Sequence, residues 1–273
     1  MEDSIELAPA KLTLSLAISG LRPDGYHLLS SEMTTVSLCD EVELIEENRV
    51  IIEDPTGRIA RLEQAYGPIP LDERNLALRA LRLAGRGGGV RIVKRIPFGG
   101  GLGGGSADAA AVLRLCGFKP TREQLVSLGA DVPFCYRGGR AVVEGIGENV
   151  FGLPIRQESF VLFLVPLVLA TNEVYRVYDQ LVPTESANAL TNAAFVCSPR
   201  LRRVANEIER LCESRPMLAG SGSSLFLQGR IDDFPGLLDA TESTRNGHVV
   251  FGELPIEVIE VASVEQSGRG VLV

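Results

Sequence analysis

Between residues 11 and 18 the apolar side chains Leu12, Leu14, Leu16 and Ile18 alternate with smaller or polar ones, the period of a half-buried strand. A polar loop, residues 20–27, follows, and the stretches 33–38, 41–45 and 50–52 predict three further strands. Residues 75–84 predict a helix stopped by Gly85, and 90–96 a strand stopped by Pro97. Good helix formers fill 106–116 up to Gly117, with Ser106 at the start, and Thr121 with Gln124 has capping-box spacing for a short helix ending at Gly129. Strands are expected at 140–144 and 159–165. Over Pro199–Cys212 the residues Leu201, Val204, Ala205, Ile208, Leu211 and Cys212 recur at helical spacing, so one face of that helix packs. A small-residue loop, 219–224, separates two short strands at 217–218 and 225–227. Strands in groups with helices between them predict an α+β chain, with two lobes sharing a cleft.

Composition changes this picture in one place. Of 29 glycines in 273 residues, ten fall between Gly85 and Gly105, so the excess is a local device. With 45% hydrophobic and 23% charged residues, collagen-like, disordered and coiled-coil classes drop out. A net charge of −8 argues against nucleic acid or an anionic membrane as a partner, while a small anionic substrate held by a few donors fits. Five cysteines without a C-x-x-C pair, with two histidines, read as reduced thiols of a cytoplasmic protein. The acidic start Met-Glu-Asp-Ser-Ile-Glu carries no secretion signal. The longest apolar run, 160–170, contains Pro166 and is far shorter than a membrane-spanning helix, so it predicts a buried strand ending in a turn.

The glycine cluster contains Pro97-Phe98-Gly99-Gly100-Gly101-Leu102-Gly103-Gly104-Gly105-Ser106-Ala107 directly ahead of a helix. Without Cβ atoms, successive backbone N–H groups can turn toward one point, and a helix N-terminus adds donors and partial positive charge, an arrangement that binds phosphate. The Walker pattern fails because Ser106, not lysine, follows Gly105. Gly99, Gly101 and Gly104 match G-x-G-x-x-G, but the strand-rich segment before them supplies no βαβ unit. A flexible connector is the remaining alternative.

Pro-x-x-x-Gly-Leu-Gly before a helix resembles the phosphate loop of the GHMP kinase superfamily. Ala8-Pro-Ala-Lys-Leu-Thr-Leu14, Arg22-Pro-Asp-Gly-Tyr-His27, Leu128-Gly-Ala-Asp-Val-Pro-Phe134 and Ala219-Gly-Ser-Gly-Ser-Ser224 narrow the likeness to its branch acting on a cytidine diphosphate-linked methylerythritol, in non-mevalonate isoprenoid synthesis. The resemblance implies a two-lobed GHMP kinase fold, an N-terminal ribosomal-protein-S5-like lobe (residues 1–150, ATP-binding) and a C-terminal ferredoxin-like lobe (151–273), with the active site between them. It implies ATP-dependent phosphorylation of the substrate's 2-hydroxyl, with Mg²⁺ bound largely through ATP and no dedicated protein metal site. A monomer or weak homodimer is expected.

By the same resemblance Asp131 matches the catalytic base and Lys11 the catalytic lysine. Residues 97–107 hold the phosphates, Asn75 and Lys94 map onto the adenine pocket, and Tyr26 and His27 fall where the cytosine is read, with Tyr175 on the opposite face of the stack. Each has a structural alternative: a turn or cap aspartate, a solvated strand-end lysine, a partly buried loop tyrosine, a polar histidine, a core-facing helix tyrosine. The 219–224 loop reads equally as cleft support or as a plain turn. The chain departs from the pattern at Thr13, a substrate-contact position where asparagine is usual, at Ala107 for the second serine, at Ala189 for an aspartate, and in a short 115–129 segment. The alternatives are another GHMP small-molecule kinase, against which Tyr26 and His27 argue, or a non-catalytic nucleotide-binding descendant.

Overall fold

The structure, a computed structural model, describes residues 5–182, 186–242, 248–251, 254–267 and 271–272; the first four residues of the acidic start lie outside them. Its first half forms β1 (Glu6–Leu21), β2 (His27–Ile45), β3 (Val50–Glu53), α1 (Arg58–Tyr66), α2 (Leu76–Leu83), β4 (Gly89–Val93), α3 (Gly104–Leu115), α4 (Arg122–Leu128), α5 (Val132–Arg137), β5 (Arg140–Gly145) and β6 (Asn149–Leu153). These strands make a six-stranded sheet in the order β3-β4-β2-β5-β6, with β1 also paired to β2.

The stretches expected as separate strands at 33–38 and 41–45 are one strand, β2. It pairs with β1 along most of its length, while its other edge is shared by β5 at residues 29–34 and β4 at 41–45. Register shifts at Pro9/Lys11, Thr13/Ser15 and Ile18/Gly20 bend the long β1–β2 ribbon, the usual effect of bulges. β4 stops at Val93, ahead of Pro97, because the N–H groups of Arg95 and Ile96 turn to the buried carboxylate of Asp40 on β2.

The second half forms β7 (Ser159–Leu164), α6 (Thr171–Tyr178), α7 (Thr191–Cys197), α8 (Pro199–Cys212), β8 (Met217–Leu218), β9 (Leu225–Gln228), α9 (Pro235–Glu242), β10 (His248–Phe251) and β11 (Leu254–Ala262). Its sheet runs β10-β11-β7-β9-β8. β7 lies at the centre with every residue from Phe160 to Val165 buried, and Pro166 follows it, as the apolar run predicts. α8 buries Leu201, Val204, Ala205, Ile208 and Cys212, and Ser198 caps it by accepting the Leu201 N–H at 3.2 Å. No helix among the described residues is long and apolar enough to cross a membrane.

Each half has its own apolar core, and a third lies between them. That seam joins Ala10, Leu12 and Val36 of the first sheet to Phe160, Leu162, Phe226 and Val261 of the second, with Ile96, Leu102 and Ala219 among its members. Two loops that line a cleft are thereby rooted in the contact between halves.

Candidate active site

The glycine loop is held by its carbonyls. Gly99 O accepts the Ser223 N–H (3.3 Å), Gly100 O the Ser224 N–H (3.1 Å) and Leu102 O the Lys11 N–H (3.0 Å). The loop therefore spends its acceptors on the 219–224 turn and on β1. Leu102, 1% exposed, plugs the seam between the halves, and burying such a side chain contributes roughly 2 kcal/mol. Gly101 and Gly103 adopt left-handed backbone (φ 76° and 71°). Gly103 is the N-cap of α3, so the helix begins two residues before Ser106, which lies in its first turn and is not its cap. The first bond inside α3 is Ala107 N–H to Gly103 O (2.9 Å), which leaves the N–H groups of Gly104, Gly105 and Ser106 at an open helix end. Small buried residues, Ala107 and Ala109 to Ala111, let α3 pack against β1, β2, α2 and α5.

This loop forms one wall of a cleft of about 490 Å³. Contrary to expectation, the segment before the loop does supply a parallel unit, β3–α1–α2–β4, but the dinucleotide reading still fails, because the loop lies outside that crossover and the strand that follows it, β5, joins β2 antiparallel.

Lys11 and Asp131 line the same cleft, with the Lys11 side chain packed against Gly103 of the loop. Lys11 Nζ lies 3.5 Å from Asp131 Oδ2 and donates to Thr13 Oγ1 at 3.1 Å. The lysine side chain is 5% exposed and that of the aspartate 32%, so the ammonium is fixed while the carboxylate stays open to a ligand. Asp131 occupies the N-cap position of α5, yet its side chain makes no capping bond. The cap alternative therefore does not account for this carboxylate. Thr13 takes part as an acceptor for the lysine, with one hydroxyl where an amide would offer two groups. Tyr175, on α6, lines the same cleft; burial, then the Asp131 charge, push its hydroxyl up to about 12, so it stays protonated.

Beside Tyr175 the structure places His27 rather than Tyr26. The two rings are 4.8 Å apart between centroids and tilted by 32°, and Tyr178 meets the imidazole edge-on at 6.1 Å. His27 Nε2 lies 2.7 Å from Asp179 Oδ1. Tyr26 is 59% exposed at the mouth of the β1–β2 hairpin.

Tyr26, His27, Asn75, Lys94 and Ala107 are not part of the cleft lining, although His27 packs on Tyr175, which is. Asn75 caps α2, accepting the Ala77 N–H at 3.0 Å and donating to Pro70 O at 2.9 Å; its neighbour Leu76 reaches the cleft instead. Ala107 is buried under the loop. Lys94, 4% exposed, bonds Asp40 and, at 2.8 Å, Asp108 on α3. Burial would lower the Lys94 pKa, but the two carboxylates outweigh it and hold the ammonium charged. This buried triad ties both stems of the glycine loop to β2.

The triad has a measurable signature. Burial, with Asp40 adding and Lys94 opposing, raises Asp108 to about 7. The folded chain then holds a proton that the unfolded chain has lost, so this group's stabilisation fades as pH rises from the ordinary carboxylate range to about 7. Asp108→Asn is expected to remove that fall, read as the difference in urea midpoint between variant and parent from about pH 4 to about pH 7. Parallel curves would refute the assignment.

Sequence reasoning passed over Asp40, Asp179 and Asn188. Asn188, 2% exposed, donates to Leu218 O (2.9 Å) and Gly220 O (2.7 Å) and accepts the Leu190 N–H (2.9 Å), holding the 219–224 turn. Neighbouring Ala189 packs on the second core. The only hint was polarity inside otherwise apolar stretches.

The description "GHMP kinases N terminal domain" matches residues 72–139, which span α2, the glycine loop and Asp131. The 4-diphosphocytidyl-2-C-methyl-D-erythritol kinase of Carboxydothermus hydrogenoformans is 36% identical over 257 residues, covering 80% of this chain and 86% of the relative. A crystal structure of 4-(cytidine 5'-diphospho)-2C-methyl-D-erythritol kinase superposes with a TM-score of 0.66 at 31% identity, covering 96% of this chain and all of the other. The mevalonate kinase of Methanococcus jannaschii shares the fold (TM-score 0.60, 11% identity, 97% and 99% covered). A chain with a glycine loop opening a helix beside a lysine–aspartate pair thus shows this likeness through most of its length, and it belongs to the 4-diphosphocytidyl-2-C-methyl-D-erythritol kinase family of the GHMP kinases.

Proposed function

We propose that this kinase transfers the γ-phosphoryl group of ATP to the 2-hydroxyl of 4-diphosphocytidyl-2-C-methyl-D-erythritol, giving the 2-phosphate and ADP. The observation that carries the reading is the Lys11–Asp131 pair set in one cleft with the open start of α3. Asp131 accepts the proton of the attacking hydroxyl as its oxygen bonds the γ-phosphorus and the bond to the bridging oxygen of ADP breaks. Lys11 keeps Asp131 ionised and offsets charge on the phosphoryl group in flight.

The residues fit a nucleotide. The loop's carbonyls are turned onto protein partners, the N–H groups of Gly104 to Ser106 remain for phosphate oxygens, and a helix terminus favours negative charge. Mg²⁺ would supply charge neutralisation between the phosphates; Ser106 Oγ and Asp131 are the cleft groups able to approach it, so it would be held mainly through ATP. Tyr26, His27 and Tyr175 hold the cytosine, with His27 already against Tyr175. Lys94 and Asn75 serve the nucleotide through the loop stems and α2 rather than by touching adenine.

We further read residues 1–150 as the ATP-binding lobe and 151–273 as its partner lobe, in a cytoplasmic monomer or weak homodimer. The decisive assay supplies MgATP and the diphosphocytidyl substrate to the purified chain. One ADP and one new phosphomonoester per turnover are expected. Inertness toward that substrate, with phosphorylation of mevalonate or homoserine, would replace the reading with another GHMP kinase activity.

A further inference from the structure

Among the described residues His27 makes one side-chain hydrogen bond, through Nε2 to Asp179 Oδ1 at 2.7 Å, and none through Nδ1. The imidazole is largely covered, with 11% of its side chain exposed, and lies between Tyr175 and Tyr178. Asp179 is the first residue after α6, the helix that carries both tyrosines, and half of its side chain faces solvent. An ionised carboxylate only accepts hydrogen bonds, so this contact requires the proton on Nε2. In the neutral ring the other nitrogen is then a bare acceptor.

We propose that Asp179 is a positioning residue that fixes the Nε2–H tautomer of His27, so that Nδ1 accepts from the exocyclic amine of a cytosine and repels the carbonyl of a uracil. The inference rests on the cytidine-substrate reading above and deepens it. Cytosine and uracil differ at this position by a donor and an acceptor. A site with one acceptor locked in place discriminates between them, whereas a ring free to move its proton to Nδ1 does not. Asp179 itself lies outside the cleft lining and acts through the imidazole.

The experiment compares the parent, Asp179→Asn and Asp179→Glu with the cytidine substrate and its uridine analogue. Asparagine keeps the size of the side chain but can turn its NH₂ toward Nε2 and release the tautomer; glutamate remains an acceptor. The parent is expected to prefer cytidine by about a hundredfold or more in kcat/KM. Asp179→Asn should lose about tenfold of that preference, through KM more than kcat, and Asp179→Glu should keep more of it. With only two histidines in the chain, imidazole ¹⁵N spectra give an independent readout. The parent should show protonated Nε2 and bare Nδ1 at His27, and Asp179→Asn a mixture. Cytidine turnover by the parent with equal selectivity in all three proteins would overturn this inference and leave the substrate reading standing. A Nδ1-protonated His27 in the parent would overturn it without reference to turnover. Absence of turnover by the parent would overturn the substrate reading, and this inference with it.

Discussion

Asp131→Asn is expected to lower kcat about a thousandfold while leaving the KM for ATP within a few-fold of the parent. The amide matches the carboxylate in size but cannot take the proton of the attacking hydroxyl. The fold has little reason to suffer, because the side chain makes no capping bond to α5 and is one-third open to the cleft. The replacement also frees Lys11 from its 3.5 Å ion pair, while the bond from Nζ to Thr13 keeps the ammonium in place. Steady-state kinetics beside an unfolding curve separate the two effects. A variant that unfolds like the parent yet keeps kcat within tenfold would show that the proton goes elsewhere.

Gly101→Ala is expected to destabilise the fold by about 3 kcal/mol or more and to weaken ATP binding at least about a hundredfold. A Cβ at this position would stand 1.9 Å from the carbonyl oxygen of Ala219, and the backbone is left-handed at φ 76°. Neither side can yield cheaply, because the Ala219 carbonyl already accepts the Gly222 N–H at 2.9 Å within the tight turn. Gly105→Ala provides the contrast: its nearest new neighbour is a Leu76 methyl at 3.8 Å, and alanine favours a helix, so its stability should match or exceed the parent's. Urea unfolding together with nucleotide titration reads both variants. Equal stability of Gly101→Ala and parent would mean that the two loops do not hold each other as described.

Features set by local chemistry were legible in the sequence. The Thr121 capping box forms with both of its bonds, α8 runs from Pro199 to Cys212 as its spacing predicts, and the glycine cluster opens a helix. Long-range features were harder to read. The single strand β2 looked like two because its outward edge changes partner from β5 to β4 near Thr35 to Asp40. Helix α1 went unpredicted; Arg58 at its start is tied to Glu257 of β11 at 2.9 Å, a contact that no periodicity announces. In the site, Lys11 and Asp131 were named through motifs and do meet, but which protein group each polar side chain bonds was beyond the pattern. Lys94 went to two buried carboxylates and His27 to Asp179, because such pairings depend on residues that only the fold brings together.

The stitching of the glycine loop to residues 219–224 bears on the order in which the chain becomes competent. As the first half leaves the ribosome, the carbonyls of Gly99 and Gly100 have no partners and Leu102 lacks most of its seam, for both are completed by segments synthesised far later. The emerging first half can form its sheet and α3, but the phosphate loop takes its final shape only when the downstream turn docks. Nucleotide binding thus reports that the whole chain has folded, and ATP cannot act as an early template for its own cradle.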